Sequence, residues 1–196
     1  MSRTIRMALS AAVMFLFAGT AWAETPADQT PTDTFPVLDL GIARGGDKIV
    51  GASFFIGGDS SIHAGDAYYV DAGLVHRFQD SDWSVKTTLG YAVAAIPRYW
   101  GDFSFKRVPL DMIAVYNTGN QHFGAGLTYH LNPWLDANGH SPDIHYNNAL
   151  GMLLQYQYRM FGVRYTYIRY KARDTTGNPR LDGSSLGLFI TIRFAN

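Results

Sequence analysis

The stretch Trp83-Ser84-Val85-Lys86-Thr87-Thr88-Leu89-Gly90-Tyr91-Ala92-Val93 decides the fold. Every second residue belongs to one set, Trp83, Val85, Thr87, Leu89, Tyr91 and Val93. The other set is Ser84, Lys86, Thr88, Gly90 and Ala92. In an extended chain alternate side chains point to opposite faces, so this is a strand with an apolar face and a face of small and ionisable groups.

The same period recurs along the chain. In 122–131, Phe123, Ala125, Leu127, Tyr129 and Leu131 oppose His122, Gly124, Gly126, Thr128 and His130. In 185–194, Leu186, Leu188, Ile190, Ile192 and Phe194 oppose Ser185, Gly187, Phe189, Thr191 and Arg193. Five further strands are expected at 37–55, 67–78, 103–117, 147–158 and 161–171, which brings the expected count to eight. Gly45-Gly46 marks either a bulge in the first strand or a turn dividing it. Pro109 is anomalous in mid-strand because it cannot donate to a ladder.

Connections alternate in length. The turns 79–82, 118–121 and 159–160 are short, whereas 56–66, 94–102, 132–146 and 172–184 are long and rich in Gly, Asp, Pro and His. Outer-membrane barrels have this rhythm, with tight periplasmic turns and long external loops. Composition agrees. The 196 residues carry 16% charged and 14% aromatic side chains and 20 glycines, unlike a charged helical bundle or a disordered chain. No cysteine is present, which excludes disulfides and thiolate chemistry. Basic and acidic residues balance at 16 each, so no nucleic-acid surface is expected.

Residues 1–23 begin with Arg3 and Arg6, continue through an apolar run and end in Ala21-Trp22-Ala23, the pattern of a cleaved secretory signal. Residues 24–35, rich in Thr, Pro and Asp, are expected to be a flexible lead, and 36–196 the barrel. A soluble lipocalin-like barrel has the mirror-image alternation, apolar inside and polar outside. Face chemistry decides against it: a water-facing exterior is dense in Lys and Glu, and Glu24 is the single glutamate of the chain. The fold expected is therefore an all-β, eight-stranded, antiparallel up-and-down transmembrane barrel. Its aromatic girdle toward lipid comprises Trp83, Tyr91, Phe123, Tyr129, Tyr158, Phe161 and Phe194.

On these patterns the chain resembles small bacterial outer-membrane barrels of the eight-stranded, outer-membrane-protein-A-like or W-like class. Leu188, Ile190, Ile192 and Phe194 resemble the carboxy-terminal assembly signal of such proteins, with the departure that Ala195 and Asn196 follow the aromatic. Gly124 through Pro133 is similar to a segment recurring in uncharacterised members. The resemblance implies an outer-membrane location, lipid and lipopolysaccharide as surroundings, the barrel assembly machinery as a partner in biogenesis, and a monomer. It implies no activity and no cofactor.

An inward polar face carries Asp39, Asp71, Lys86, Arg107, Asp111 and His130, expected to form an interior network around Lys86, with Arg77, Arg164, Arg193 and His122 on the same face. The function expected is non-enzymatic, in envelope structure or loop-mediated interaction. A narrow channel or transporter for small or apolar solutes is the alternative. A third reading rests on Ile144-His145-Tyr146-Asn147-Asn148, which looks like the His-x-Ser-Asn stretch of lipid A deacylases. Asn147 stands where that chemistry needs a hydroxyl, so the activity does not carry over. His63, His140, His145, Asp66, Asp136, Asp143, Asp174 and Asp182 lie in loops without metal-ligand spacing. Arg169, Lys171, Arg173 and Arg180, near the outer end of the seventh strand and in the last loop, are candidates to meet lipopolysaccharide phosphates.

Overall fold

The computed structural model describes residues 34–52, 60–96, 103–137, 143–173 and 180–194. The expected signal, most of the lead, His140 and Asp174 lie outside them. In chain order the strands are β1 Thr34–Arg44, β2 Lys48–Ala52, β3 Ser60–His63, β4 Ala67–Arg77, β5 Trp83–Ile96, β6 Phe103–Thr118, β7 Gln121–Asp136, β8 Ile144–His145, β9 Ala149–Tyr158, β10 Phe161–Tyr167, β11 Arg169–Lys171, β12 Arg180–Asp182 and β13 Ser185–Arg193. Among the described residues no helix occurs.

Eight of these strands close on themselves. The ladder runs β6-β5-β4-β1-β13-β10-β9-β7, and β7 returns to β6, every pairing antiparallel. Closure leaves no strand edge, which is the condition for a sheet to cross hydrocarbon. The tight turns each place one residue in the left-handed region, Asp80, Gly119 and Arg159, at φ of 53°, 57° and 55°.

The faces point as a membrane barrel requires. Leu89, Leu127 and Ile190 are 52%, 52% and 38% exposed, whereas Lys86 and Thr128 are 3% and 1% exposed. A lipocalin-like interior would reverse these values. Burial alternates without a break along β9, Ala149, Gly151, Leu153, Gln155 and Gln157 being inside.

At Gly45-Gly46 the chain turns out of the barrel. With φ of 147° and 80°, the two glycines occupy conformations that side-chain-bearing residues rarely adopt. β1 therefore ends at Arg44, and β2 pairs with β3 as a hairpin outside the barrel sheet. The β5–β6 ladder passes from Leu89 opposite Leu110 to Ala92 opposite Arg107 in unchanged register, so Pro109, which has no N–H to donate, lies where two rungs of the ladder are missing. Across β6, Asn132 takes φ 43°, and inward burial on β7 moves from His130 to Pro133 and Leu135. That bulge shifts the alternation by one residue and hides the upper part of β7 from a period-two reading.

The loop end is packed with apolar side chains. Ile62, Phe105, Leu135, Tyr146, Ile168 and Tyr170 form a buried apolar cluster there. Phe105 meets Tyr170 edge-on at 5.6 Å between ring centres. Loop backbones are stitched together: Asp47 N–H donates to the Asp182 carbonyl at 2.7 Å, and Gly65 N–H to the Gly45 carbonyl at 2.9 Å.

Inside, glycines make room for rings. Tyr69 lies against Gly41 and Phe189 against Gly162, where an added Cβ would run into each ring. Gly162→Val is expected to destabilise the barrel by about 1–3 kcal/mol through overpacking, measured by urea unfolding of the micelle-folded protein. In a Phe189→Ala background the same change should cost less than half as much; equal costs would remove this packing account.

Candidate functional site

The lumen holds the chemistry, and register decides which residues meet there. Asp39 of β1 stands directly opposite Asp71 of β4, a like-charged pair that requires a cation. Asp111 of β6 lies opposite Thr88 and Thr128. Arg164 of β10 lies opposite Gln155 and Gly187, and its long side chain crosses the lumen.

Arg164 is the hub. Its Nη1 donates to Asp71 Oδ2 at 3.0 Å and to Asp111 Oδ2 at 3.3 Å. Its Nη2 donates to Asp39 Oδ2 at 3.0 Å and to Gln155 Oε1 at 3.3 Å. Lys86 Nζ reaches Asp39 Oδ2 at 2.5 Å, and Thr191 Oγ1 donates to Asp39 Oδ1 at 2.7 Å. Rings flank the cations: the Arg164 guanidinium lies 5.4 Å from the centre of Tyr69 and 5.1 Å from that of Phe189, and Lys86 Nζ lies 5.7 Å from Phe189.

This arrangement differs from a network centred on Lys86. Lys86 pairs in register with Val75 and Ile113, nearer the short turns than Asp71, which pairs with Gly90. Its amine consequently contacts Asp39 alone among the three carboxylates. Arg164, which the sequence marks only as one of several inward cations, bridges all three.

Arg107 and His130 occupy a different tier. Arg107 donates to the carbonyls of Ala64 at 2.9 Å and Gly65 at 3.2 Å, latching the cap to the barrel wall. His130 Nδ1 lies 2.6 Å from the Tyr170 hydroxyl, and burial pushes that phenol up to about 12. Between the tiers is a void of about 40 Å³ lined by Tyr69, Asp71, Arg107, Asp111 and Arg164. Asp71 Oδ1, Asp111 Oδ1, Arg164 Nε and the Tyr69 hydroxyl have no protein partner. A polar void of that size accommodates about two or three waters. Below the ion cluster a second void of about 20 Å³ lies among Lys86, His122, Gln157 and Arg193. There His122 bridges Asn117 Oδ1 at 2.8 Å and Arg193 Nη2 at 3.0 Å.

Outside, the aromatic residues fall into two bands. Trp83, Phe123, Tyr158, Phe161 and Phe194 are exposed toward the short-turn end, with Trp83 against Tyr116 at 5.3 Å and Phe123 against Tyr156 at 5.1 Å. Tyr91 and Tyr129 lie further toward the loops, as do Tyr68 and Tyr167. Asn147 is exposed and donates its backbone N–H to the Lys171 carbonyl at 2.8 Å. Among the described residues no group of three or more His, Asp or Glu is arranged to hold a metal.

No protein-family model matches the chain, and no curated protein matches it. Several solved barrels are similar in shape. Neisserial surface protein A shares 15% identity over 80% of this chain and 96% of its own, with a TM-score of 0.38. Ail of Yersinia pestis, in complex with the heparin analogue sucrose octasulfate, shares 12% over 81% and 97%, at 0.42. The N-terminal barrel domain of Pseudomonas aeruginosa OprF shares 14% over 82% and 98%, at 0.36. The assignment stands on the chain's own closed ladder and outward apolar faces: it is a small eight-stranded barrel of outer-membrane architecture.

Removing the hub leaves three buried carboxylates facing a single lysine. Arg164→Met is therefore expected to cost about 3–5 kcal/mol in urea unfolding, and Lys86→Met less, because Asp39 keeps Arg164 and Thr191. A larger loss for Lys86→Met would reverse the assignment of the hub.

Proposed function

We propose that this protein is exported by its 1–23 segment, resides in the outer membrane as a monomer, and serves envelope structure or an interaction made through its loop-end cap, without catalysing a reaction. The observation that carries this reading is the filled interior. A packed apolar cap built on Ile62, Phe105 and Tyr170 sits above the Arg164 cluster, and the two voids around that cluster admit waters but not a solute. A surface held in place by buried rings and by the Arg107 latch suits recognition, because little order has to be imposed when a partner binds.

The alternative of a narrow channel draws on the placement of polar voids on both sides of the ion cluster. Conduction would require Arg164 to exchange partners and Arg107 to release the cap. Lipid deacylation lacks its nucleophile, since Asn147 carries an amide.

Fractionated cells should show the protein sedimenting with the outer membrane, with boiled and unboiled samples migrating differently on a gel. Recovery in the periplasmic supernatant would contradict the reading. In planar bilayers the folded protein should be silent; steady conductance altered by Asp111→Asn would establish the channel instead. Labelled lipopolysaccharide incubated with the barrel should release no acyl chain.

A further inference from the structure

The outward face of β10 runs on into β11 without losing its alternation. Phe161, Val163, Tyr165 and Tyr167 are followed on the same face by Arg169, Lys171 and Arg173, while Ile168, Tyr170 and Ala172 stay buried. The face changes from aromatic to cationic between Tyr167 and Arg169, and the Arg169 guanidinium lies 5.4 Å from the centre of the Tyr167 ring. β12 adds Arg180 directly opposite Lys171, so the two side chains share a face. Like charges placed opposite one another destabilise a strand pair. The loop would be more stable with a neutral residue at either position.

Among the described residues none of these four cations makes an ion pair within 4.0 Å. The nearby carboxylates are committed mainly to hydrogen bonds of their own. Asp182, opposite Arg169, accepts from the Ser184 hydroxyl at 2.6 Å and from its N–H at 2.9 Å, and these bonds, with a smaller contribution from the Arg169 charge, hold its carboxyl below the usual range. Asp47 accepts from the Asp182 N–H at 2.8 Å. Beneath the strip the wall is apolar and exposed: Met152 pairs with Tyr167, and Leu154 and Leu186 pair with Tyr165.

We propose that Arg169, Lys171, Arg173 and Arg180 form a binding strip for the phosphates of membrane lipids whose acyl chains lie against Met152, Leu154 and Leu186. This rests on the membrane reading given above. An aromatic band followed at once by cations is the order of environments that a lipid presents, chain, interface and charged headgroup. Guanidinium groups bind phosphate oxygens through paired, charge-assisted hydrogen bonds, and the repulsion between Lys171 and Arg180 is relieved when an anion sits between them. A lipid is favoured over a soluble polyanion because the strip stands directly above the lipid-facing wall.

The test uses the full chain folded in neutral micelles at about 0.15 M salt, where exposed charges are already partly screened. The probes are fluorescent lipid A with two phosphates, the same lipid dephosphorylated, and inositol hexaphosphate. The bisphosphorylated lipid should bind at least about tenfold more tightly than the dephosphorylated one, a preference lost in Arg169→Ser/Lys171→Ser/Arg173→Ser/Arg180→Ser. Arg159→Ser, at a short turn on the opposite end, should bind like the unaltered protein. Lys171→Ser alone should unfold at the same or higher urea concentration and still bind more weakly. Equal affinity for the two lipids, or unchanged binding by the fourfold variant, overturns the proposal. Inositol hexaphosphate binding as tightly as the lipid overturns the lipid as ligand. Loss of the heat-dependent gel shift in the unaltered protein would instead overturn the membrane reading beneath it.

Discussion

Hydrocarbon offers no partner to a hydrogen-bonding group, and each feature of this chain follows from that constraint. A sheet meets it only by closing, so that every N–H and C=O finds a neighbour on the next strand. Eight strands close around a lumen too narrow for bulk water, and the side chains pointing inward must then fill it and satisfy one another. Asp39 and Asp71 face each other across one ladder rung, and Asp111 looks across from β6. Arg164 is what makes that assembly tolerable. Net stability is not the main consequence of such a cluster, since apolar side chains of similar volume would do as well or better. What it imposes is specificity: three carboxylates on three strands meet one guanidinium in a single stagger. A slip by one residue would turn each of them toward lipid.

Space had to be made for the cluster, and the glycines make it. Gly41 and Gly162 allow Tyr69 and Phe189 to lie flat along the wall, where their faces flank Arg164. Above, the interior changes character to Phe105, Leu135, Ile168 and Tyr170, and the loops fold over it. The molecule is thus stacked along its axis: polar turn end, ion cluster, small void lined by polar groups, apolar cap. The outer wall is stacked too, from one aromatic band through aliphatic side chains to a second band and then to cations on β11.

Strands were legible in the sequence because lipid selects one face strictly. Leu186, Leu188, Ile190 and Ile192 mark a strand plainly, and the eight barrel strands appear within the stretches the alternation marks, although the first, expected over 37–55, leaves the barrel at Arg44 and the seventh, expected over 161–171, leaves it after Tyr167. The interior was legible in membership but not in pairing. Lys86 and Arg164 look equivalent along the chain; only the stagger between strands sets Lys86 against Asp39 alone and brings Arg164 to all three carboxylates. Arg107 is inward as expected, yet it serves the cap, because its partners are backbone carbonyls from a loop distant in sequence. The upper part of β7 was hidden by the bulge at Asn132-Pro133, which reverses the phase of burial. The cap itself is a product of contacts between loops, with no short-range periodicity to announce it.

The orientation of the two faces is tested most directly by the neighbours Leu127 and Thr128. The chain contains no cysteine, so single-cysteine variants at these positions can each carry one spin label without background. With the protein folded in bilayers, the label at 127 should be relaxed strongly by oxygen, which partitions into lipid, and weakly by a water-soluble nickel complex. The cysteine at 128 should resist labelling until the barrel is unfolded. A label at 128 that is open to oxygen, with position 127 protected, would contradict the account at its root.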